Sequence, residues 1–376
     1  MVGLRPRIVS RSRAALCCTV GLFLVAQLAL YHFVTRVRPE LRDPEFGSLF
    51  SALQERLAEA PGRPLVLVLG SSRTANLFRP SALSAWPDRG RGPVVFNFAT
   101  LSSGPLRQLQ MLRRVLARGV TPSLVVAEIW TPYLAHREGF TEEGYVAGRD
   151  LQWPDWPLLA AYLDDPWPAY GRLLDGMLVP ASSHRRRILE CYAPFLLHIE
   201  PRQMGDWSDP SLRVEGCGWL PAPVPRPGPE LFAHIVERTR AYARRCLEDF
   251  RITDVGDRAV RELVTTCTHN DIRIALVLAP EHSVFRACFS VEVEAVAAGY
   301  LAGLGREYRL PVVDVRDWVA DEDFMDLSHA LPRAAGPYTQ RFGREVLLPL
   351  LQGKSLSPGL LVHETPASPS PPRPAP

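Results

Sequence analysis

Pro64-Leu65-Val66-Leu67-Val68-Leu69-Gly70-Ser71-Ser72-Arg73 is the stretch on which the reading of this chain turns. Its aliphatic run is uncharged and lacks the polar alternation of a half-buried strand. That is the pattern of a strand covered on both faces in a parallel sheet. Gly70 and two serines end it, which places a hydroxyl at the carboxyl edge of the sheet, just before the next helix. Open α/β sheets bind ligands at that edge, and free backbone N–H groups there can hold an oxyanion. A serine in this place has two uses. It caps the following helix, or it acts as a nucleophile.

Similar runs recur downstream: Pro93 to Ala99, Ser123 to Ile129, Asp271 to Pro280 and the shorter Leu310 to Val315. Between them lie amphipathic stretches with apolar residues at helical spacing, as in Leu106, Leu109, Leu112 and Val115. Strand–helix alternation with crossovers of this length predicts a parallel α/β sheet. From about Ala135 to Pro229 the periodicity breaks into Trp-, Pro- and Asp-rich sequence, such as Trp153-Pro154-Asp155-Trp156-Pro157. A structureless loop of that length inside a compact domain runs against loop statistics. Residues 135–229 therefore read as an insertion carrying short helices, a lid over the sheet edge or a docking surface.

Ala14 to Val34 carries no charge and is long enough to cross a bilayer core of about 30 Å as a helix. Arg5, Arg7, Arg11 and Arg13 precede it, and the arginines after it are diluted by acids. The expectation is a short cytoplasmic segment (1–13) and an uncleaved anchor (14–34), with the rest on the far side of the membrane. A folded domain over 46–352 follows, then a disordered proline-rich tail over 353–376. With 376 residues and a net charge of +3, the chain has room for a sizeable core and no basic surplus that speaks for nucleic acid. Lys354 is the only lysine. The seven cysteines show no Cys-x-x-Cys spacing, so no metal site is expected.

The second decisive run is Asp326-Leu327-Ser328-His329-Ala330-Leu331-Pro332, between the last strand and the last helix. An aspartate three residues before a histidine can hold one ring nitrogen and leave the other free to take a proton from a serine. A parallel sheet would bring this run and Gly70-Ser71-Ser72 to one edge.

Together these motifs resemble the SGNH (GDSL-like) hydrolases, and within them membrane-anchored envelope proteins related to alginate acetylation and lipoteichoic-acid D-alanylation factors. The resemblance covers residues 64–132 and 271–351. It implies a three-layer α/β/α, flavodoxin-like domain with Ser72 as nucleophile, His329 as base and Asp326 as its partner. It further implies an oxyanion hole from the N–H groups of Ser72 and Gly104, with Thr131 as a substitute donor. Asn97 and Trp130 are the expected substrate contacts. Two departures stand out. Ser71 replaces the family's usual aspartate, and the third block, Gly-x-Asn-Asp, is absent, its strand ending Glu128-Ile129-Trp130-Thr131. Loss of such a side-chain donor costs about 2.7–4 kcal/mol in the transition state.

The expected activity is a serine esterase or O-acyltransferase on acyl esters of an exported or cell-envelope glycan, without cofactor. It would sit on the extracytoplasmic side of a bacterial cytoplasmic membrane, with envelope-assembly proteins as possible partners. The competing expectation is an inactive scaffold or polysaccharide-binding protein on the same fold.

Overall fold

The computed structural model describes residues 6–83, 92–135, 141–148, 151–196, 215–222 and 227–362. Two compact units emerge, one of Met1–Ser48 with Ala147–Pro201, the other of Leu49–Val146 with Arg202–Pro376. Helices α1 (Pro6–His32) and α2 (Pro44–Glu59) precede strand β1 (Leu65–Leu69). Then come α3 (Ser72–Leu77), β2 (Val94–Asn97), α4 (Pro105–Leu116) and β3 (Leu124–Glu128). A run of helices follows: α5 (Thr131–Leu134), α6 (Glu142–Ala147), α7 (Trp156–Tyr162), α8 (Trp167–Leu178), α9 (Pro180–Ser183) and α10 (Arg185–Tyr192). Alternation resumes with α11 (Pro229–Leu247), α12 (Asp254–His269), β4 (Arg273–Leu278), α13 (Ser283–Arg286) and α14 (Val291–Tyr308). β5 (Val312–Asp314), α15 (Pro332–Phe342) and α16 (Leu348–Leu351) complete it.

The sheet-bearing unit has five parallel strands in the order β2-β1-β3-β4-β5, which is the order of flavodoxin-like folds, the class implied by the resemblance. Each expected strand run contains the observed one. Val66, Val68, Val126, Val277 and Val313 pack on one face with Tyr338 and Phe342 of α15. The alternate residues Leu67, Leu69, Val125 and Leu276 are equally buried and point the other way, as the two-residue period of a strand requires. Right-handed crossovers set α4, α12 and α14 on that second face, because each carries the chain toward β5, whereas β1 to β2 steps backwards. The reversal opens a crevice at the carboxyl ends of β1 and β3, paired in register at Leu69 and Ala127.

Other segments reach both edges of the sheet. Along β2, residues 215–222 form a strap: Asn97 N donates to Cys217 O (3.0 Å) and Leu220 N to Ala75 O (3.0 Å). Gly218 makes the strap's turn at φ +89°, where a Cβ would lie 1.8 Å from Asn97 O. Along β5, Leu361 bridges Val313 and Val362 N donates to Val312 O (2.9 Å). The tail expected from residue 353 is corrected here: residues 353–362 return to the sheet and bury Leu356. Residues 363–376 lie outside the described residues, as do 1–5 of the expected cytoplasmic segment.

The other unit holds α1 and α7 to α10. α1 and the π turn that continues it over Phe33–Val37 contain a span, Ser12–Val37, long and apolar enough to cross a membrane. Residues 12–26 touch little else, whereas Gln27 is buried and its Oε1 accepts Ala181 N (3.2 Å). Arg38 Nη1 donates to Tyr192 Oη (3.1 Å), whose ring lies 6.4 Å from that of Phe33.

Candidate active site

β1 ends at Gly70, and the two serines after it have separate tasks. Ser71 is the N-cap of α3, its Oγ accepting Arg73 N (3.2 Å). Ser72, the first residue of the helix, turns its Oγ to His329 Nε2 at 2.7 Å. His329 Nδ1 in turn meets Asp326 Oδ2 at 2.7 Å. A carboxylate accepts at Nδ1, so Nδ1 carries the proton and Nε2 is left to accept from Ser72. Ser72 thus joins a pair of residues more than 250 positions further along the chain in one continuous hydrogen-bonded line.

The loop that presents Asp326 and His329 is braced from within. Asp326 Oδ1 accepts the N–H groups of Ser328 (2.7 Å) and His329 (2.6 Å), a tight Asx turn. Phe324 and Ala330 bridge its base, and Met325 N donates to His329 O (2.9 Å). Leu327 is fully buried against Phe285, Phe289 and Cys246, which anchors the loop in the core. Pro332 then starts α15, its missing N–H costing nothing in the first turn. Burial alone would push the Asp326 carboxyl up. The His329 ring and the two backbone donors outweigh it and hold its pKa at about 2, so Asp326 is ionised in any neutral solution.

Beneath Ser72 lies a buried charge cluster. Glu128, last residue of β3, accepts Ser71 N (2.8 Å), Thr74 Oγ1 (2.6 Å) and Ser71 Oγ (3.0 Å). Gly70 has to lack a side chain for this approach, since a Cβ there would lie 2.6 Å from Glu128 Oε2. Arg73 sits between two acids, 3.5 Å from Glu128 Oε1 and 3.2 Å from Glu281 Oε1. The same guanidinium donates to Ala279 O (2.8 Å) and Pro280 O (3.0 Å) and lies 5.2 Å from the Trp130 ring centre. All three side chains are nearly inaccessible. Burial pushes the Glu281 carboxyl up, against the pull of Arg73 and Arg316. The nucleophile's backbone is therefore tied to β3 by charge-assisted hydrogen bonds, and its helix to the end of β4 by one arginine.

The remaining expected site residues are placed as follows. Asn97 is a correction. It is fully buried, its Nδ2 donating to Thr74 O (3.0 Å) and Phe78 O (2.7 Å) and its Oδ1 accepting Ala99 N (3.1 Å). Every polar atom is spent on holding α3 and the next loop, so none is left for a substrate. Trp130 is half-buried, stacked among Arg73, Tyr133 and Phe285, and its buried Nε1 has no hydrogen-bond partner among the described residues. Thr131 opens α5 and makes no hydrogen bond to Ser72, Asp326 or His329. Gly104 is the N-cap of α4, where a Cβ would run into the Glu142 carboxylate that accepts Arg107 N (2.8 Å). Among the described residues no group of three or more His, Cys, Asp or Glu side chains is arranged to hold a metal ion.

Glu128 and Glu281 are functional-site residues that the motifs alone do not single out. The available signal was a charged residue closing each of two otherwise apolar strand runs, Leu124 to Glu128 and Ile274 to Glu281. A buried strand end tolerates a charge only when it is paired.

No protein-family model matches the chain, and no curated protein matches it. Among solved structures it is similar to TesA, with TM-score 0.34 and 11% identity over 76% of this chain and 99% of that one. A protein from Bacteroides fragilis described as an acylhydrolase is similar at TM-score 0.35 and 11% identity, over 80% of this chain and 97% of that one. Likenesses this distant leave the chemistry to the site's own geometry.

Proposed function

We propose that the protein is a serine esterase or O-acyltransferase of SGNH type, anchored by α1 and working on acyl esters of an exported or envelope glycan. The observation that carries this reading is the line Ser72 Oγ–His329 Nε2 and His329 Nδ1–Asp326 Oδ2, both links 2.7 Å. In the proposed reaction Ser72 attacks the acyl carbonyl as its proton passes to Nε2, while the ionised Asp326 steadies the imidazolium. The N–H groups of Ser72 and Gly104 hold the oxyanion. His329 returns the proton to the departing alcohol, leaving an acyl ester on Ser72. It then deprotonates water in an esterase, or a sugar hydroxyl in a transferase, and the incoming oxygen releases the acyl group.

A serine-directed fluorophosphonate tests the core of this. Full-length protein is expected to label, whereas Ser72→Ala does not and His329→Ala labels at least 100-fold more slowly, about 10²-fold being the usual floor for loss of a general base. Hydrolysis of p-nitrophenyl acetate follows the same order. One observation favours the scaffold reading: Glu128, at the strand end where a side-chain oxyanion donor is expected, spends its acceptors inward. If wild type fails to label while acetylated oligosaccharide still binds, the scaffold reading replaces the enzymatic one.

A further inference from the structure

The part of α1 in which every residue is exposed is too short to cross a bilayer. Arg13 bounds it on one side, and from Ala14 to Ala26 every residue is exposed. At 1.5 Å per residue this is about 20 Å, against about 30 Å of hydrocarbon. The missing length is supplied by the next two turns, Gln27 to Phe33, which remain apolar apart from Gln27, Tyr31 and His32. Those turns are not bare. α8 and α9 pack against α1, and within these turns the Gln27 amide oxygen accepts Ala181 N of α9 (3.2 Å). A lone amide facing hydrocarbon is costly, and this contact supplies its partner from a neighbouring helix, as polar groups within membranes require.

Ala181 shares the depth of Gln27, and the end of α8 lies three residues before it. Exposed apolar side chains stand at that end, Met177 and Leu178, at the other end of α8, Trp167 (69% exposed), and beyond α10, Phe195 (81% exposed) and Leu196, where Tyr192 meets Phe33. Beside a membrane-spanning helix, exposed tryptophan and aliphatic residues have the composition of a membrane interface.

We propose that α8 to α10 form a foot embedded in the lipid leaflet through which α1 emerges, with Trp167, Met177, Leu178, Phe195 and Leu196 against the acyl chains. The partner is the lipid itself, and the anchor is a helix with a collar. This rests on the reading of α1 as a membrane anchor, and the two are separable by experiment. Cys17, Cys18, Cys191 and Cys288 are replaced by serine in the full-length chain, and one reactive cysteine is then supplied at a time. The sites are the native Cys18, Leu178→Cys, Trp167→Cys and, on the charged face of α10, Arg186→Cys. Each carries a polarity-sensitive fluorophore and is reconstituted into phosphatidylcholine vesicles with or without bromine on the acyl chains.

The proposal expects bromolipid quenching at positions 178 and 167 comparable with that at Cys18 and several-fold above that at position 186. Quenching at Cys18 with positions 178 and 167 no different from 186 overturns the foot and leaves the anchor standing. Absence of quenching at Cys18 overturns both. The two reporters on α8 guard against a single substitution that perturbs folding.

Discussion

Replacing Glu128 by glutamine keeps the shape of the side chain and removes its charge, so it isolates what that charge does beneath Ser72. Three hydrogen bonds converge on the carboxylate, from Ser71 N, Ser71 Oγ and Thr74 Oγ1, at 2.6–3.0 Å. Hydrogen bonds to a charged acceptor contribute about 1.5–3 kcal/mol against 0.5–1.5 for neutral ones, so neutralising the acceptor loses roughly 1 kcal/mol on each. The Arg73 contact at 3.5 Å is lost as well, but Arg73 keeps Glu281 and two carbonyls, which limits that share. The expected loss is about 3 kcal/mol, at the low end for breaking a buried ion pair. In a unit of this size that is a fall in Tm of about 6–10 °C, read by differential scanning fluorimetry.

The same substitution loosens the backbone that aims Ser72. A displacement of about 1 Å costs on the order of 100-fold in rate, so fluorophosphonate labelling should slow by one to two orders of magnitude even where the variant is fully folded. Glu128→Ala should be worse on both counts, because Ser71 N–H and the Thr74 hydroxyl are then buried without an acceptor. A Glu128→Gln protein that melts within about 1 °C of wild type would refute the assignment of the carboxylate as the tie between β1 and β3. Unchanged labelling would refute its part in aiming the nucleophile.

Other perturbations have equally definite outcomes. Asn97→Leu strips the donors from Thr74 O and Phe78 O and should cost about 3 kcal/mol in urea unfolding. It should leave KM for p-nitrophenyl acetate nearly unchanged, since Asn97 faces the underside of α3. Gly218→Ala forces a Cβ to within 1.8 Å of Asn97 O at a φ of +89°, so the strap should detach and proteolysis near residue 215 should accelerate. Asp326 falls from 3.8 to about 2 on folding, which contributes roughly 2 kcal/mol at neutral pH. Because the folded value is the lower one, that stability is complete above about pH 3.8 and is lost as the pH falls to about 2. Acid titration of Asp326→Asn should lack this component, and its labelling should fall sharply because the ring loses the carboxylate that fixes its tautomer.

Much of the fold was legible because a strand buried on both faces leaves a local trace. The largely aliphatic runs at 64–69, 93–99, 123–129 and 271–280 each contain an observed strand. The Ser72, Asp326 and His329 positions were legible for a related reason: residues at the carboxyl ends of parallel strands converge whatever lies between them. What was not legible depends on which way a side chain turns. Asn97 has a residue type suited to a substrate contact, but packing under α3 consumes its amide. Glu128 reads as a strand boundary until the pairing of Leu69 with Ala127 sets it under Ser71. Which of Ser71 and Ser72 caps the helix was equally open, and Glu128 decides it by holding Ser71 in the cap. The C-terminal segment looked like tail because its composition is polar and proline-rich, yet Leu356 and Leu361 are enough to fasten it.

That fastening has a consequence for how the protein meets others. Parallel sheets ordinarily offer two outer strands whose free amides and carbonyls invite a foreign strand. Here the strap at residues 215–222 takes one side and residues 361–362 the other, neither of them long or regular enough to serve as a template in turn. Strand addition at the β5 side would have to displace residues 361–362 first. A chain cut after Gly353 would reopen the β5 side, and light scattering at rising concentration should show it sticking to copies of itself where the intact chain stays dispersed.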